Sequence, residues 1–306
     1  MPDARVHRTA CEMTAPAPSG VLYGLIADAT VWPLFFPPSV HVEQLDFDGT
    51  RERLRMWAVA GDRISSWVSH RRLDVGQRRV EFRQERPSAP VETMTGLWTV
   101  EPLGDGSRVT LEHAFTVVGD APADAAWTER VTRANSRAQL QRLAWLAERW
   151  TRLDDLVMSF EDTVRVNVPA ELVFDFLYRA GDWPDDLAGT RPLTVQEDTP
   201  GIQVLALDGR SATGGEAVRI SFPAAGRLVH KHTRTSGPLA AYTGEWTIEP
   251  QPGAGLDVTV RHDVLLNDDA ALDQDAARRA CDEVGRAGRR LLEHAVRHAS
   301  DAVRVL

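Results

Sequence analysis

The chain repeats itself once, and this internal repeat limits the folds that it can adopt. The stretch APAPSGVLYGLIADATVWP, which contains Trp32, matches VNVPAELVFDFLYRAGDWP, which contains Trp183 at an offset of 151 residues. Further on, GLWTVEP matches GEWTIEP at an offset of 148 residues, so that Trp98 corresponds to Trp246. Offsets this similar leave room for small gaps only, and each copy is far longer than a solenoid repeat.

Each copy is long enough to be a complete domain, and we predict a first domain at 1–153 and a second at 154–306. The whole chain has 306 residues, of which 43% are hydrophobic and 26% are charged. This composition is typical of a globular protein, and it allows each half to bury a core of its own.

The order of predicted elements is the same in both halves. In the first half a strand at 6–13 leads through a Pro-bearing turn into a short amphipathic helix at 19–28. Six segments with alternating residues, joined by turns such as GDGS, predict antiparallel strands. A long helix ends each half, in the second from about 268 to 304. We therefore predict an α+β fold, in which a curved antiparallel sheet wraps around a long C-terminal helix and leaves an internal cavity.

Charge and composition exclude several classes of function. The net charge of -9 argues against general binding to nucleic acid. The longest apolar runs are far shorter than a membrane span, and the start MPDARVHRTACEM lacks the apolar core of a signal peptide, so we expect a cytoplasmic protein without membrane association. Cys11 and Cys281 lie in different halves without metal-ligand spacing, which argues against a zinc site.

The segment WVSHRRLD carries an aromatic ring and a guanidinium on one face of a predicted strand. Alternation places Trp67, Ser69 and Arg71 on the same side. A buried cation is unfavourable unless something pairs with it, so an inward-facing Arg71 indicates a binding site whose ligand is the partner of the guanidinium. The alternative is a surface arginine or one half of an ion pair.

Four features occur in a characteristic order: a helix followed by WP, the strand WVSHR, the segment GLWTVEP and a final helix containing TRANSRAQLQRL. Together they resemble the aromatase/cyclases of bacterial type II polyketide synthases, members of the helix-grip (SRPBCC, START, Bet v 1-like) superfamily. The tandem arrangement resembles the didomain subclass, and the resemblance covers nearly the whole chain. It implies two tandem helix-grip domains.

The resemblance also implies an activity and partners. A linear poly-β-ketone on an acyl carrier protein would enter the cavity, where aldol cyclisation and dehydration give the first aromatic ring. For didomain members it implies a chain already reduced at one carbonyl, closure between carbons seven and twelve, other components of a type II polyketide synthase as partners, and no cofactor. Arg51, Arg53 and Arg55 alternate along one strand face and are candidates for docking the acidic carrier protein, although a solvated strand face is the alternative.

The chemistry of the residues agrees with this activity. Arg71 stays protonated, so it is expected to hold carbonyl or enolate oxygens as negative charge develops. Trp32, Trp67 and Trp98 are expected to form flat walls that order the flexible chain. Ser69 is expected to orient a water or a substrate oxygen.

Proton transfer needs a different group, and His113 is our candidate because alternation places it inward on its strand. Asn135, in RANSR on the closing helix, is expected to hydrogen-bond the substrate or a catalytic water. The alternatives are a structural His113 and an Asn135 bonded to a neighbouring strand. Single-domain relatives often have a Tyr soon after WP, but WPLFFPPSV offers Ser39 and no phenol, so Arg71 with water or His113 must do more of the chemistry.

The second half keeps the scaffold and changes the residues. GEAVRISF contains no WVSHR, and the position that matches Arg71 is expected near Ser221, with Arg219 on the same face. Because the pair of Trp67 and Arg71 is expected to occur only once, first-ring closure is predicted in the first domain.

The segment LVHKHTR predicts a polar group of substrate-binding residues in the second half. It places His230, His232 and Arg234 on one strand face, with His262 and Trp246 on neighbouring strands. Three histidines raise the question of a metal site, but no carboxylate or Cys lies between them, and alternate residues of a strand seldom converge at tetrahedral angles. We therefore predict a polar pocket without metal.

A non-catalytic carrier of a hydrophobic small molecule is the alternative function, since many helix-grip proteins are carriers. Arg71 beside Trp67 on an inward face distinguishes the two functions, because a passive carrier has little reason to bury a cation opposite aromatic rings. We therefore predict an enzyme.

Overall fold

The structure is a computed structural model that describes residues 5–184, 187, 192–207, 214–253 and 255–305. The chain divides into two compact units, Met1–Leu153 and Asp154–Leu306. Each unit has a seven-stranded antiparallel sheet followed by a long helix. The predicted α+β class and the two tandem helix-grip domains are confirmed.

The first unit contains seven strands, a short helix after the first strand, and a long helix at the end. The strands are β1 His7–Ala15, β2 Ser39–Phe47, β3 Arg51–Ala60, β4 Arg63–Asp74, β5 Arg79–Arg86, β6 Val91–Leu103 and β7 Gly106–Val117. The helices are α1 Ser19–Ala27, α2 Trp32–Phe35 and α3 Pro122–Ala147, with 3₁₀ turns at Ala29–Val31, Val118–Asp120 and Trp150–Arg152. A single helical turn, α4 Leu153–Leu156, begins at the last residue of this unit and continues into the second.

The first sheet has the strand order β1-β7-β6-β5-β4-β3-β2, so the chain runs as a meander and its first strand pairs with its last. One apolar stripe of α3, which includes Leu140 and Leu143, joins Leu22 and Ile26 of α1 in a core that covers the inner face of the sheet. Burial of these side chains fixes the helix across the sheet. The part of the inner face beyond this core borders a cavity.

The second unit repeats this arrangement. Its strands are β8 Val157–Val166, β9 Pro192–Thr199, β10 Ile202–Leu207, β11 Gly215–Phe222, β12 Arg227–Arg234, β13 Leu239–Pro250 and β14 Leu256–Leu266, in the sheet order β8-β14-β13-β12-β11-β10-β9. Its helices are α5 Ala170–Tyr178, α6 Asp268–Leu272 and α7 Gln274–Val305, with 3₁₀ turns at Ala180–Asp182 and Pro223–Ala225.

The terminal helix of the second half is interrupted, which differs from the single helix predicted from about 268 to 304. Asp273 has an extended backbone conformation between α6 and α7. Its carboxylate accepts hydrogen bonds from the backbone N–H groups of Asp275 (3.0 Å) and Ala276 (3.2 Å). Asp273 is thus the N-cap of α7, because its side chain satisfies donors that have no partner within the helix.

Candidate functional site

A cavity of about 170 Å³ lies between the first sheet and α3. Most of its surface is apolar, as in small-molecule sites generally, although nearly half of the lining residues are polar. All the site residues that the sequence predicted in the first half line it: Trp32, Ser39, Trp67, Ser69, Arg71, Trp98, His113 and Asn135.

Arg71 is fixed at the wall of this cavity by three different contacts. Its Nη1 lies 2.8 Å from Oε1 of Glu52, the residue directly opposite on β3. Its Nη2 donates a hydrogen bond of 2.6 Å to the backbone carbonyl of Ile26, at the end of α1. The guanidinium carbon lies 4.9 Å from the ring centre of Trp32, a cation–π contact. The orientation of the guanidinium is therefore set before any ligand binds.

The ion pair with Glu52 differs from the prediction that a ligand alone is the partner of Arg71. Both side chains are almost fully buried, with exposed fractions of 2% and 4%. Burial lowers the pKa of Arg71 to about 10 and the charge of Glu52 opposes this shift, so the guanidinium stays protonated at neutral pH. Glu52 was missed, although RERLRMW places it inward together with Leu54 and Met56.

Part of the guanidinium has no acceptor within the described part of the protein. The Nε of Arg71 is buried and has no hydrogen-bond partner among the described residues. A buried donor without an acceptor is unfavourable. A ligand oxygen that reached this nitrogen would supply the acceptor, and the charge of the donor would strengthen the bond.

Aromatic rings form the walls next to Arg71. The rings of Trp32 and Trp98 meet edge to face with centres 6.3 Å apart, and both side chains are buried. Trp67 lies on β4 with Arg71 and is partly exposed to the cavity. Ser69 is buried between them, and its hydroxyl makes a long hydrogen bond of 3.4 Å to the carbonyl of Arg83. The hydroxyl of Ser69 is therefore weakly bound, and it can exchange this hydrogen bond for one to a ligand oxygen.

His113 faces the cavity from β7, as strand alternation predicts. Its ring lies edge to face with Phe82 at 5.4 Å, and its Nδ1 is buried without a hydrogen-bond partner among the described residues. Gly96 lies opposite both residues in the sheet, and a Cβ at Gly96 would collide with the Phe82 ring. The glycine thus gives the ring room to lie across the strand.

Asn135 has the structural role that was the alternative to substrate binding. Its Nδ2 donates a hydrogen bond of 2.8 Å to the carbonyl of Val59, and this bond ties α3 to β3. The residue also lines the cavity, and this hydrogen bond leaves its amide oxygen unused.

The titration of His113 gives a testable pH dependence of stability. Burial lowers the pKa of His113 to about 4, whereas a histidine in an unfolded chain titrates near 6.5. Between these values the unfolded chain binds a proton that the folded chain does not, so stability decreases as the pH falls. We expect a smaller decrease in the free energy of unfolding between pH 6.5 and pH 4 for His113→Gln, measured by urea titration. Equal decreases in both proteins would contradict a buried neutral His113.

The second unit has a smaller cavity of about 70 Å³ at the equivalent place. Five of the predicted second-half residues line it: Arg219, His230, His232, Trp246 and His262. Arg234 does not line it and is exposed to solvent. The reason is a β-bulge in β12. Glu216 and Ala217 are consecutive on β11, but their partners on β12, Arg234 and His232, are two residues apart. The extra residue places Arg234 on the outer face.

Arg219, and not a position near Ser221, is the counterpart of Arg71. Its guanidinium donates hydrogen bonds to the carbonyl of Leu177 and, at 3.1 Å, to Oε1 of Gln203, and it lies 5.3 Å from the ring of Trp183. The guanidinium and tryptophan pair therefore occurs in both units. The offset of 148 residues that relates the two WTVEP-like segments also relates these two arginines, and this is the signal that could have identified the match.

Trp67, Glu52 and Ser69 are members of the first site that are not repeated, and Ala217 stands at the position of Ser69. Gly215 stands at the position of Trp67. Trp67 pairs with Met56 on the preceding strand, and Gly215 pairs with Leu207, the residue equivalent to Met56. Gln203 replaces Glu52 opposite the arginine. The second site therefore lacks one aromatic wall and the carboxylate.

Tyr242 completes the second cavity and was missed by the sequence analysis. Its hydroxyl shares a buried hydrogen bond of 2.8 Å with Nδ1 of His262, and its ring stacks on His232 at 4.5 Å. Burial raises the pKa of Tyr242 and lowers the pKa of His262 to about 4. A neutral tyrosine and neutral imidazoles therefore line this cavity. The signal that could have identified Tyr242 is a polar side chain at an inward position of the strand AAYTGEW.

Two further observations concern metal binding and membrane insertion. Within residues 5–184, 187, 192–207, 214–253 and 255–305, no group of three or more His, Cys, Asp or Glu side chains is arranged to hold a metal ion. In the same part of the chain, no helix combines the length and the apolar composition that crossing a membrane requires.

Comparison with known proteins agrees with this architecture. The family model described as polyketide cyclase / dehydrase and lipid transport matches residues 15–144. The granaticin polyketide synthase bifunctional cyclase/dehydratase of Streptomyces violaceoruber is 36% identical over 99% of this chain and 97% of its own length.

Solved structures give the same result over both units. The crystal structure of the di-domain ARO/CYC BexL from the BE-7585A biosynthetic pathway is 34% identical, with a TM-score of 0.78 over 96% of this chain and 98% of its own. The di-domain ARO/CYC StfQ from the steffimycin pathway is 26% identical, with a TM-score of 0.75 over 96% of this chain and 99% of its own. The prediction of an enzyme is confirmed, and the chain belongs to the didomain aromatase/cyclases, the cyclase/dehydratase family of type II polyketide synthases.

Proposed function

We propose that the protein closes and aromatises the first ring of a poly-β-ketone bound to an acyl carrier protein. The proposed substrate is a chain already reduced at one carbonyl, and the proposed bond joins carbons seven and twelve. The observation that carries this proposal is the preset guanidinium of Arg71, whose buried Nε lacks an acceptor at the wall of an aromatic cavity.

Arg71 is proposed to stabilise the charge that develops during the aldol step. Removal of a proton from a methylene between two carbonyl groups gives an enolate. The enolate carbon attacks another carbonyl farther along the chain, and the oxygen of that carbonyl becomes an alkoxide. A fixed cationic donor stabilises each of these oxyanions more than the neutral ketone, which lowers the barrier. Protonation of the alkoxide and loss of water then give one double bond of the ring. Loss of a second water, from the ring carbon that carries the reduced oxygen, and enolisation of the remaining ring carbonyl make the ring aromatic.

His113 is proposed to move the protons. Its neutral imidazole can accept the methylene proton and return it to the alkoxide, or to the hydroxyl that leaves as water. Ser69 is proposed to orient a water or a substrate oxygen in this transfer. These roles make Arg71, His113 and Ser69 the proposed catalytic residues.

The remaining residues of the first cavity are proposed to bind the chain. Flat aromatic walls restrict the folded conformations of a flexible poly-β-ketone, and this selects which carbons meet. The residues with this proposed role are Trp32, Ser39, Trp67, Trp98 and Asn135. Ring closure is thus proposed for the first domain, 1–153, which has the larger cavity.

The second domain, 154–306, is proposed to bind the product of ring closure or to assist its dehydration. Its proposed contacts to the ligand are Arg219, His230, His232, Trp246 and His262. The exposed Arg234 has no part in this proposal.

Docking of the carrier protein is proposed away from Arg53 and Arg55, two of the three candidate arginines of β3. Arg53 makes a two-pronged ion pair with Glu85 at 2.7 and 3.0 Å, and Arg55 lies 4.0 Å from Glu43. Because these pairs neutralise much of the positive charge of both side chains, they offer little attraction to an acidic carrier. Other synthase components are proposed as further partners, by analogy with the named relatives.

Reconstitution tests this function. The full chain is combined with a minimal polyketide synthase and its carrier protein, with and without a ketoreductase, and the aromatic products are identified by mass spectrometry and NMR. We expect a first ring closed between carbons seven and twelve, formed efficiently only when the ketoreductase is present. The same product distribution with and without the protein would refute the proposal, and efficient closure without the ketoreductase would refute the reduced substrate.

A further inference from the structure

The two duplicated cavities differ in charge. In the first, the cation of Arg71 is balanced by the anion of Glu52 at 2.8 Å. In the second, the residue opposite Arg219 is the neutral Gln203. Replacement of the carboxylate by an amide therefore leaves the second arginine without the balancing charge that the first one has.

The buried charge of Arg219 has no carboxylate partner among the described residues. Its guanidinium is bound by neutral groups, namely the carbonyls of Leu177 and Tyr178 and the amide of Gln203. The nearest carboxylate in this network is Glu197, which is exposed and accepts hydrogen bonds from Gln203 and Tyr178 and not from Arg219. Only 4% of Arg219 is exposed, so solvent does little to stabilise the charge.

The rest of the cavity adds no negative charge. No Asp or Glu occurs among the described residues that line it, and burial keeps His230 and His262 neutral by lowering their pKa values. The Nε2 of His262 is buried and has no hydrogen-bond partner in the described part of the chain. An anion in this cavity would meet one unbalanced cation and no carboxylate among the described lining residues.

The size and shape of the cavity restrict the ligand further. A volume of about 70 Å³ holds roughly five water molecules, which is comparable to one substituted ring. Trp246 and Trp183 line the same space, so flat surfaces are available to a planar molecule. Gly288 of α7 lies against His262, where a Cβ would be 2.5 Å from its Nε2, so the absence of a side chain lets the helix pack closely on the imidazole.

We propose that the second cavity is a binding site for a small planar oxyanion, with Arg219 as the residue that recognises the charge. Carboxylates, enolates and phenolates of a single ring share this chemistry. If the proposed function is correct, the natural ligand is the enolate or phenolate form of the ring that the first cavity produces, and this assignment rests on that function. The binding site itself does not.

Calorimetric titration of the full chain with salicylate tests the site, with salicylamide as a probe of similar shape that lacks the carboxylate. We expect one molecule of salicylate per chain and an affinity at least tenfold above that of salicylamide. The variant Gln203→Glu places a carboxylate next to Arg219, as in the first domain, and is expected to abolish this preference. Gln196→Glu adds the same charge on the exposed neighbouring strand and is expected to keep it.

Several outcomes would overturn the proposal. They are equal affinities of the wild type for the two probes, no binding of salicylate, and an unchanged preference in folded Gln203→Glu. If thermal melting shows that Gln203→Glu is unfolded, Arg219→Gln replaces it in the same comparison, and the wild-type comparison remains decisive by itself. Because the readout is binding, a failure of ring closure in reconstitution leaves this test unaffected.

Discussion

Replacement of Arg71 by Lys is expected to reduce formation of the first ring about 100-fold or more, the size of effect seen when one preorganised oxyanion donor is removed. Lysine keeps the positive charge but has neither the planar fork nor the second and third nitrogen donors of the guanidinium. Arg71→Ala should have at least the same effect. The measurement is the amount of cyclised product in the reconstituted reaction, where we expect spontaneously cyclised shunt compounds instead.

Arg72→Lys is the matched control, since it makes the same change at the next residue of β4, on the exposed face. It should leave the product distribution unchanged. A normal yield of the natural ring from folded Arg71→Ala would show that the guanidinium takes no part in the reaction.

Replacement of Glu52 by Leu is expected to lower the free energy of unfolding of the first domain by about 3–5 kcal/mol, the usual effect of removing one partner of a buried ion pair. The change leaves the cation of Arg71 buried with one carbonyl and one aromatic ring as partners. Urea unfolding of the full chain, followed by tryptophan fluorescence, measures the loss. The first transition should move to lower urea if the two domains unfold separately.

Two companion variants separate charge from packing. Glu52→Gln should be much less destabilising, because the second domain already contains an arginine bound to a glutamine, Arg219 with Gln203. The double variant Glu52→Leu with Arg71→Met should recover most of the stability and remain inactive, since an apolar pair fills the space without a buried charge. Equal stability of Glu52→Leu and wild type would mean that the ion pair contributes nothing to the fold.

The fold was predictable because its signals are local and occur twice. The matched helices before Trp32 and Trp183, together with strand alternation, are enough to predict two sheets, each followed by a long helix. The inward face of β4 follows from alternation alone, so the sequence is sufficient to assign Arg71 and Ser69 to the cavity. The break at Asp273 was missed because a capping side chain competes with the helical pattern that surrounds it.

The parts that the sequence analysis missed depend on pairing between strands. Glu52 meets Arg71 only through the register of β3 and β4, and Tyr242 meets His262 only through that of β13 and β14. Register is set by turns and bulges whose lengths a single sequence does not specify. The exposure of Arg234 has the same cause. One extra residue in a strand moves the side chains beyond it to the opposite face of the sheet.

The strand glycines Gly96 and Gly244 have a consequence for protein engineering. Each provides the space in which an aromatic ring of the adjacent strand lies, Phe82 in the first domain and His230 in the second. Because the backbone supplies the room, the identity of the ring is free to vary while its position is not. Exchanging the two rings, as Phe82→His and His230→Phe, would therefore transfer an imidazole from one cavity floor to the other without rebuilding either sheet, and so offers a route to altered substrate range in this scaffold.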